Sequence, residues 1–426
     1  MLLEEAQAVI ETEGVCDGCL GRCFADRGRG LSNDDRGHAL RVCVALIQDA
    51  PFEPVEPEGC WVCEGLVPDH EEWAARVERT LEGLEFETFL VGTHVPSVLE
   101  ENEAALRERA ELDTDAGESF KAEINREVGK RLEQTLSASV VHDYPDVVAI
   151  LNLERDEVDL QLNPEFLYGR YRKLERGLAQ RTRMCRVCNG RGTQWRGGKA
   201  RPCENCGGSG YITERSVEQL ITRPIRERLE GTDTVFNTAG REDDDVGVLG
   251  SGRPFVVEVK EPRRRPPDLE RLQAEIDEAG GDAIEVEGLS LATKGMVEHL
   301  TQTPIRQTYR LTVAFHTSVS ENDFTAAIAA LDGATVRQQI EREGRTVDRI
   351  RTLGEVTGEL RDETEATIEV DSMGGIGLEA LMRGGDGRID PNLAALLDTE
   401  VEVTGMDVLA VEGEEEPLER PVYLLS

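Results

Sequence analysis

The sequence predicts an α+β protein with a metal-bound amino-terminal region and a larger, sheet-rich carboxy-terminal part. Three observations carry this. Helical periodicities and short apolar strands follow one another irregularly, without a steady strand–helix repeat, which favours a mainly antiparallel sheet. The 426 residues suggest two or three domains, and 39% are apolar, enough to fill real cores. Eight of the ten cysteines fall in four CxxC pairs. In a reducing compartment such pairs are read as metal ligands rather than disulfides.

Charge narrows the function classes. The net charge of −37 favours solubility and discourages casual binding to nucleic acid or membranes. It suits a high-salt cytoplasm. No apolar run is long enough to span a bilayer. The start, MLLEEAQAVIETEG, carries acids where a signal peptide needs a basic region. A soluble, cytoplasmic, monomeric protein is expected.

Along the chain, residues 1–65 form an amino-terminal zinc-binding region with a helix near 37–48. Cys43, in ALRVCVALI, reads as a buried structural thiol. Residues 66–165 change character. Helices are predicted in EEWAARVERTLEGL and ESFKAEINREVGKRLEQTL, then strands in DVVAILNL and EVDLQL. In order and pattern this block resembles a THUMP domain, a small RNA-binding α/β module. Residues 166–426 form the third domain. A helix is predicted to start at Ser216 in SVEQLITRPIRERLEG, with Gln219 placed for a capping box. Strands FVVEV, AIEVE, YRLTVAF, ATIEV and VEVTGMDVLAVE then mix with helices near 268–279, 321–331, 375–383 and 392–397. GEEEPLE near the end reads as a solvated turn.

Tetrahedral zinc needs four soft ligands, and two CxxC turns supply them. Cys185, Cys188, Cys203 and Cys206 lie in CRVCNGRGTQWRGGKARPCENCGGSGY, with a glycine-rich turn after each pair. The glycines let backbone amides curl toward the sulfurs. This pattern predicts a zinc ribbon, and the same half-repeat occurs in DnaJ-type co-chaperones. Cys16, Cys19, Cys60 and Cys63 form a second set with a wider gap. Four thiolates leave no open position, so both zincs are expected to be structural. The six histidines show no ligand spacing, which argues against a metal-dependent hydrolase.

From Arg170 to Arg201 the chain carries eleven bases and one acid, Glu175. Phe166, Tyr168, Tyr171 and Trp195 lie in or beside this island. Cations for phosphates with aromatics for bases make a nucleic-acid footprint. Internal pairing with the acidic remainder is the bland alternative. Arg170, Arg172, Lys173, Arg176 and Arg181 are the expected RNA contacts. Lys260 and Arg263, Arg264 and Arg265, in VKEPRRRPPDLE, form a second cluster, with Lys260, Arg263 and Arg264 as further expected RNA contacts.

The most specific string is GREDDDVGVLGSGRPF, starting at Gly240. Taken alone, EDDD would be solvated charge. The string resembles a motif of the archaeal and eukaryotic tRNA pseudouridine synthase family that acts on uridines 54 and 55 of the T arm. It matches at Gly240, Arg241, Glu242, Asp243, Asp245, Val246, Leu249, Gly250, Gly252, Arg253, Pro254 and Phe255, and departs at Gly247, where the family usually has arginine. NPEFLYGRYRKLERGLAQRTR, QTYRLTVAF and GGIGLEALMRGGDGRIDPNLAALL follow in the family's order. The resemblance implies a pseudouridine synthase catalytic domain with a zinc-ribbon insertion, acting on tRNA without an organic cofactor. It implies Asp243 as catalytic residue, Arg241 as the group that helps flip the base, and Tyr309 stacking on uracil. Leu381 would pack under the base, with Arg253 also at the substrate. Where the family pairs its aspartate with a lysine, this chain has Glu379, so Arg383 or Arg388 is expected to supply the cation. Asp244 reads as filler and Asp245 as a turn-shaping acceptor. The family's basic TPxRVxHRR element is degraded here, although Arg337, Arg345, Arg349 and Arg351 keep positive charge. A non-catalytic zinc-ribbon RNA-binding or chaperone-like protein is the second reading. A THUMP-bearing methyltransferase is the third, and lacks a glycine-rich cofactor loop after a first strand.

Overall fold

Apolar spacing in LLEEAQAVIE puts Ala6 and Val9 on one face of α1 (Leu2–Glu11). A computed structural model describes residues 2–196, 199–213, 215–303, 305–342 and 345–412. They divide into two units, Met1–Asn163 with Arg263–Pro266, and Pro164–Pro262 with Pro267–Ser426. The expected GEEEPLE turn lies outside the described residues.

In the first unit α1 is followed by α2 (Asp17–Arg22) and α3 (Asn33–Gln48). The Ser32 hydroxyl caps α3 by accepting the Asp35 N–H. α2 and α3 meet at two glycines. A Cβ added at Gly21 would overlap the Asn33 carbonyl, and one at Gly37 the Asp17 carbonyl. Cys43 is exposed, which corrects the expectation of a buried thiol. α3 buries Leu40, Arg41 and Val44 instead, while Leu46 and Ile47 also face outward.

The unit continues with α4 (His70–Leu81), β1 (Thr88–His94), α5 (Ser97–Arg109), α6 (Phe120–Thr135), β2 (Ser139–Val140), β3 (Val147–Asn152) and β4 (Glu157–Leu162). Its sheet order is β2-β1-β3-β4, with β1 parallel to both neighbours and β4 antiparallel to β3. Trp73, Val77 and Leu81 on α4 and Ile124, Val128 and Leu132 on α6 repeat at helical spacing, and all are buried. One core runs from Ala6 to Leu151, so the cysteine-bearing helices and the α/β layer share it.

The second unit opens with β5 (Glu165–Lys173) and a hairpin, β6 (Thr193–Arg196) and β7 (Lys199–Pro202). Next come α7 (Val217–Leu229), β8 (Asp233–Thr238), β9 (Gly247–Lys260), α8 (Leu269–Gly280), β10 (Ile284–Leu291) and α9 (Lys294–Gln302). β11 (Arg306–Phe315), α10 (Glu321–Leu331), β12 (Thr335–Arg342), β13 (Arg345–Asp362) and β14 (Glu365–Met373) follow. The unit closes with α11 (Leu378–Arg383), β15 (Ile389–Asp390), α12 (Leu393–Leu397) and β16 (Val401–Val411). The predicted cap of α7 is present: the Ser216 hydroxyl accepts the Gln219 N–H. The sheet runs β10-β5-β9-β16-β11-β14-β13-β12-β15, with β8 also on β9. It is mixed and mainly antiparallel, as predicted. β9 and β16 are the parallel pair, joined through Gly247–Asp407 and Val248–Val408. Two cores flank that seam, and Tyr309 and Met406 pack against both. Sequence reading passed over α9, whose buried anchors are only Met296 and Leu300. It also passed over β8 and the long β12–β13 hairpin, whose charged alternation resembles a loop. No helix among the described residues is long and apolar enough to cross a membrane.

The glycine crossing makes a direct test. Gly37→Ala must push two backbones apart, an overpacking cost of roughly 1–3 kcal/mol. Chemical denaturation of the variant should show a lower midpoint with an unchanged slope.

Candidate active site

The stretch from β8 to β9 alternates. Arg241 is exposed, the Glu242 side chain is 1% exposed, and Asp243 is exposed again. Glu242 turns inward to meet Arg253 of β9, itself fully buried, with Oε2 2.6 Å from Nε. The contact is off-line for a hydrogen bond and is held by charge. The other lone pairs of Glu242 are used: Tyr171 Oη donates to Oε1 at 2.7 Å, and Gln180 Nε2 donates to Oε2 at 2.9 Å. Gln180 also reaches the Tyr171 hydroxyl at 2.9 Å. Burial, then the neighbouring Glu242 charge, push the Tyr171 phenol well above its ordinary range, so it stays a donor. Arg253 in turn donates to the Ala239 carbonyl and, at 3.3 Å, to Gln307 Oε1. Gly240 has φ +85°, and a Cβ there would stand 2.9 Å from Arg253 Nη1 and 3.0 Å from Gln307 Nε2. Only glycine suits both the conformation and the space.

A second clamp holds the loop from below. Lys173, expected among the RNA contacts, is fully buried. Its ammonium donates to the carbonyls of Leu178 (3.1 Å), Asp243 (2.9 Å) and Asp244 (3.0 Å). Burial pulls its pKa down. The correction has a plain cause: the last residue of β5 points into the loop's underside. Asp244 is not filler. Its carboxylate pairs with Arg183 at 2.6 Å, and its carbonyl also accepts the Gly177 N–H. The Asp245 carbonyl accepts from Arg176 at 2.7 Å. Among the described residues, no hydrogen bond or ion pair reaches the Asp243 carboxylate or the Arg241 guanidinium. The loop therefore fixes its even-numbered acids and presents Arg241 and Asp243 outward.

Gln307, 6% exposed, is the hub beside this loop. It accepts from Arg253 and, at 2.8 Å, from the Tyr309 hydroxyl. Tyr309 is half-buried, and burial raises its phenol pKa. Gly374 also borders Gln307, and Arg349 of β13 donates to the next carbonyl, that of Gly375. Leu381 is fully buried in a core on which Tyr309 packs. Arg253, expected at the substrate, is spent on Glu242. Arg383 is exposed but lines a cavity of about 810 Å³ with Phe315 and His316. That is the far end of β11 from Tyr309, roughly 20 Å along the strand, which corrects its placement beside the uracil. Arg388 is exposed, and its carbonyl accepts the Gln339 N–H. Glu379 is exposed on α11.

The expected RNA patch is largely consumed within the fold. Arg170 donates to the carbonyls of Ser251, Gly252 and Val411. Arg172 pairs with Glu285 (2.8 Å) and Glu287, and Arg176 with Asp407 at 2.6 Å. Arg181 is half-buried. Tyr168 and Tyr171 are core residues at 2% and 0% exposure. Lys260 lies 3.7 Å from Asp233. In the first unit, Arg264 pairs with Glu85 at 2.6 Å, and Arg263 is exposed. Acids elsewhere in the sequence claim Arg172, Arg176, Lys260 and Arg264, and backbone carbonyls claim Arg170 and Lys173.

Both cysteine sets converge, each within 4.8 Å. Tetrahedral zinc with bonds near 2.3 Å needs sulfurs about 3.8 Å apart. Cys16–Cys63 is 3.8 Å, Cys19–Cys60 3.5 Å, Cys185–Cys203 3.8 Å and Cys188–Cys206 3.7 Å. Amides face the sulfurs as the glycine turns suggested: Gly210 N–H donates to Cys206 and Cys16 N–H to Cys60. Arg22 adds a cation, donating to Cys19 Sγ at 2.8 Å while pairing with Glu123 at 2.8 Å. These donor sets fit zinc.

Comparison with known proteins fits this geometry. A family described as "Pus10, C-terminal" matches residues 166–412, and "Pus10 THUMP domain, archaeal" matches 73–152. The chain belongs to the Pus10 family. It is 47% identical to the "tRNA pseudouridine synthase Pus10" of Halorubrum lacusprofundi, covering 99% of each chain. It is 31% identical to the protein of that name from Pyrococcus furiosus, covering 96% of this chain and 98% of that one. A solved structure titled "Crystal Structure of a Cbf5-Nop10-Gar1 Complex" overlaps 46% of this chain and 45% of that chain at 11% identity, with a TM-score of 0.30, too low to bear on the fold. The α/β layer of the first unit is thus a THUMP domain.

For this Pus10 chain the sequence reading missed Glu242, Gln180, Gln307 and the inward role of Lys173. The signal for Glu242 was present: an acid between two exposed charges, followed by an arginine in an apolar strand. Breaking one side of a buried pair costs about 3–5 kcal/mol. Glu242→Ala should therefore unfold at much lower denaturant than wild type. Loading should give two zincs per chain, released in a chelator-dye assay after the thiols are blocked by a mercurial. Cys203→Ser should retain one.

Proposed function

We propose that this Pus10-family chain is a tRNA pseudouridine synthase acting on uridine 54, uridine 55 or both in the T arm, with Asp243 as its catalytic residue. One observation carries the assignment to Asp243: its carboxylate is exposed on a loop whose neighbours on both sides, Glu242 and Asp244, are fixed. The curated relatives named tRNA pseudouridine synthase Pus10 support the reaction class.

The isomerisation breaks the bond from uracil N1 to the sugar C1′, turns the base and joins its C5 to C1′. The C5 proton leaves and N1 takes one, so no redox partner or organic cofactor enters. An ionised carboxylate can attack C1′ or remove a sugar proton. Asp243, exposed and with its carboxylate unclaimed among the described residues, can fill either role. Arg241, beside it and equally exposed, enters the duplex as the base leaves the stack. Tyr309 offers a ring face to uracil while its hydroxyl is tied to Gln307. Glu379 leaves the family's usual cation position acidic, and Arg349, at the Gly375 carbonyl, brings positive charge to the same turn. The THUMP domain would hold the rest of the tRNA, and the enzyme would work as a cytoplasmic monomer.

Incubation with an unmodified tRNA transcript, followed by base-specific labelling, should show pseudouridine in the T arm. Asp243→Asn should lose the product by a thousandfold or more (~4 kcal/mol) while binding tRNA as wild type does. Full activity in that variant would reassign the catalyst. Wild-type binding without any product would favour the non-catalytic ribbon protein.

A further inference from the structure

Four exposed cations that no acid claims gather on one small element. Arg186, Arg191, Lys199 and Arg201 are all exposed on the ribbon around the Cys185–Cys206 cluster. Among the described residues no carboxylate pairs with any of them. That is unusual in a chain with 85 acids and 48 bases, where even surface arginines such as Arg172 and Arg176 are claimed.

The same ribbon exposes its apolar residues. Trp195 is 75% exposed, Met184 64%, Val187 57%, Ile212 51% and Tyr211 43%. In the β6–β7 hairpin, Trp195 pairs with Ala200 and Thr193 with Pro202, whereas Gln194 pairs with Arg201. Paired residues share a face, and faces alternate along a strand. One face is therefore apolar, with an uncovered indole, and the other carries Lys199 and Arg201. A bare aromatic on one face and unpaired cations on the other let a single strand of RNA wrap the thin ribbon, its base on the indole and its flanking phosphates on the cations.

The arm has a narrow root. Met184 bridges to Tyr211, and the Ile212 N–H bonds the Arg183 carbonyl at 2.8 Å. At that root Arg183 pairs with Asp244, the residue after Asp243. RNA held on the arm is thus anchored to the segment that carries the catalytic carboxylate.

We infer that the zinc ribbon is an RNA-gripping arm, in which Trp195 stacks on an unpaired base of the substrate tRNA while Arg186, Arg191, Lys199 and Arg201 meet its phosphates. This rests on the reading of the chain as a tRNA-modifying enzyme. Charge complementarity selects RNA over an unfolded protein, the other occupant a ribbon of this kind could take.

The test uses full-length, zinc-loaded protein, with zinc content measured for each variant. Trp195→Ala should weaken binding of an unmodified tRNA transcript about tenfold and raise KM alike, with single-turnover kcat at saturating tRNA within about twofold. Trp195→Phe should restore most of the affinity. Arg191→Glu combined with Arg201→Glu should weaken binding further and lower the slope of log affinity against log salt by about two. If both variants keep two zincs and bind tRNA like wild type, the proposal is overturned. It is equally overturned if they lose binding to a denatured reporter protein but not to tRNA. If wild type makes no pseudouridine yet Trp195→Ala still weakens tRNA binding, the enzymatic reading fails and the gripping arm stands.

Discussion

The buried pair between Glu242 and Arg253 is the constraint on which the site depends. Two charges removed from water are costly to hold, and they persist only because Tyr171, Gln180, Gln307 and the Ala239 carbonyl satisfy most of what remains. That arrangement joins β5, the loop, β9 and β11 into one polar knot. With Glu242 pulled in, the residues on either side have to face out. The loop owes its direction to its neighbours rather than to its own turn chemistry. Lys173 reinforces this by spending an entire buried ammonium on three backbone carbonyls.

Much of this protein was legible from its residues. Four CxxC pairs give both metal sets because ligand spacing is local. Helical periodicity locates α4, α6 and α7 because burial on one face leaves a trace every three or four residues. The string from Gly240 to Phe255 identifies the loop because its glycines, acids and arginine form one local unit. What escaped was the fate of single charges. Lys173, Arg170 and Arg253 look like surface cations in sequence, yet each ends inside the fold or tied to its backbone. Nothing local distinguishes Arg170 and Lys173 from Arg191 or Arg201, because carbonyls that hold them lie as far as 241 and 71 residues away, and Arg253 meets Glu242 only once the loop between them folds back.

Acidity has a structural consequence here. With nearly two acids for every base, an arginine left without a carboxylate must lie beyond the reach of the surplus. The ribbon manages this by leaving through a pinched root and by carrying Glu204 as the one acid from Cys185 to Tyr211. Several other arginines act as internal fasteners: Arg22 on the Cys19 sulfur, Arg265 against Asp146, Arg253 against Glu242.

The position of β16 in the sheet carries a consequence for how the enzyme is made. Among the described residues it is the last strand, yet it lies in the middle, between β9 and β11. Until a ribosome has released it, the strand bearing Arg253 and the strand bearing Gln307 have nothing between them to bring them into register. The two halves can each collapse during translation, but the polar knot waits for the final strand. A chain that stops short of β16 therefore carries Glu242, Arg253 and Gln307 without the strand that aligns them.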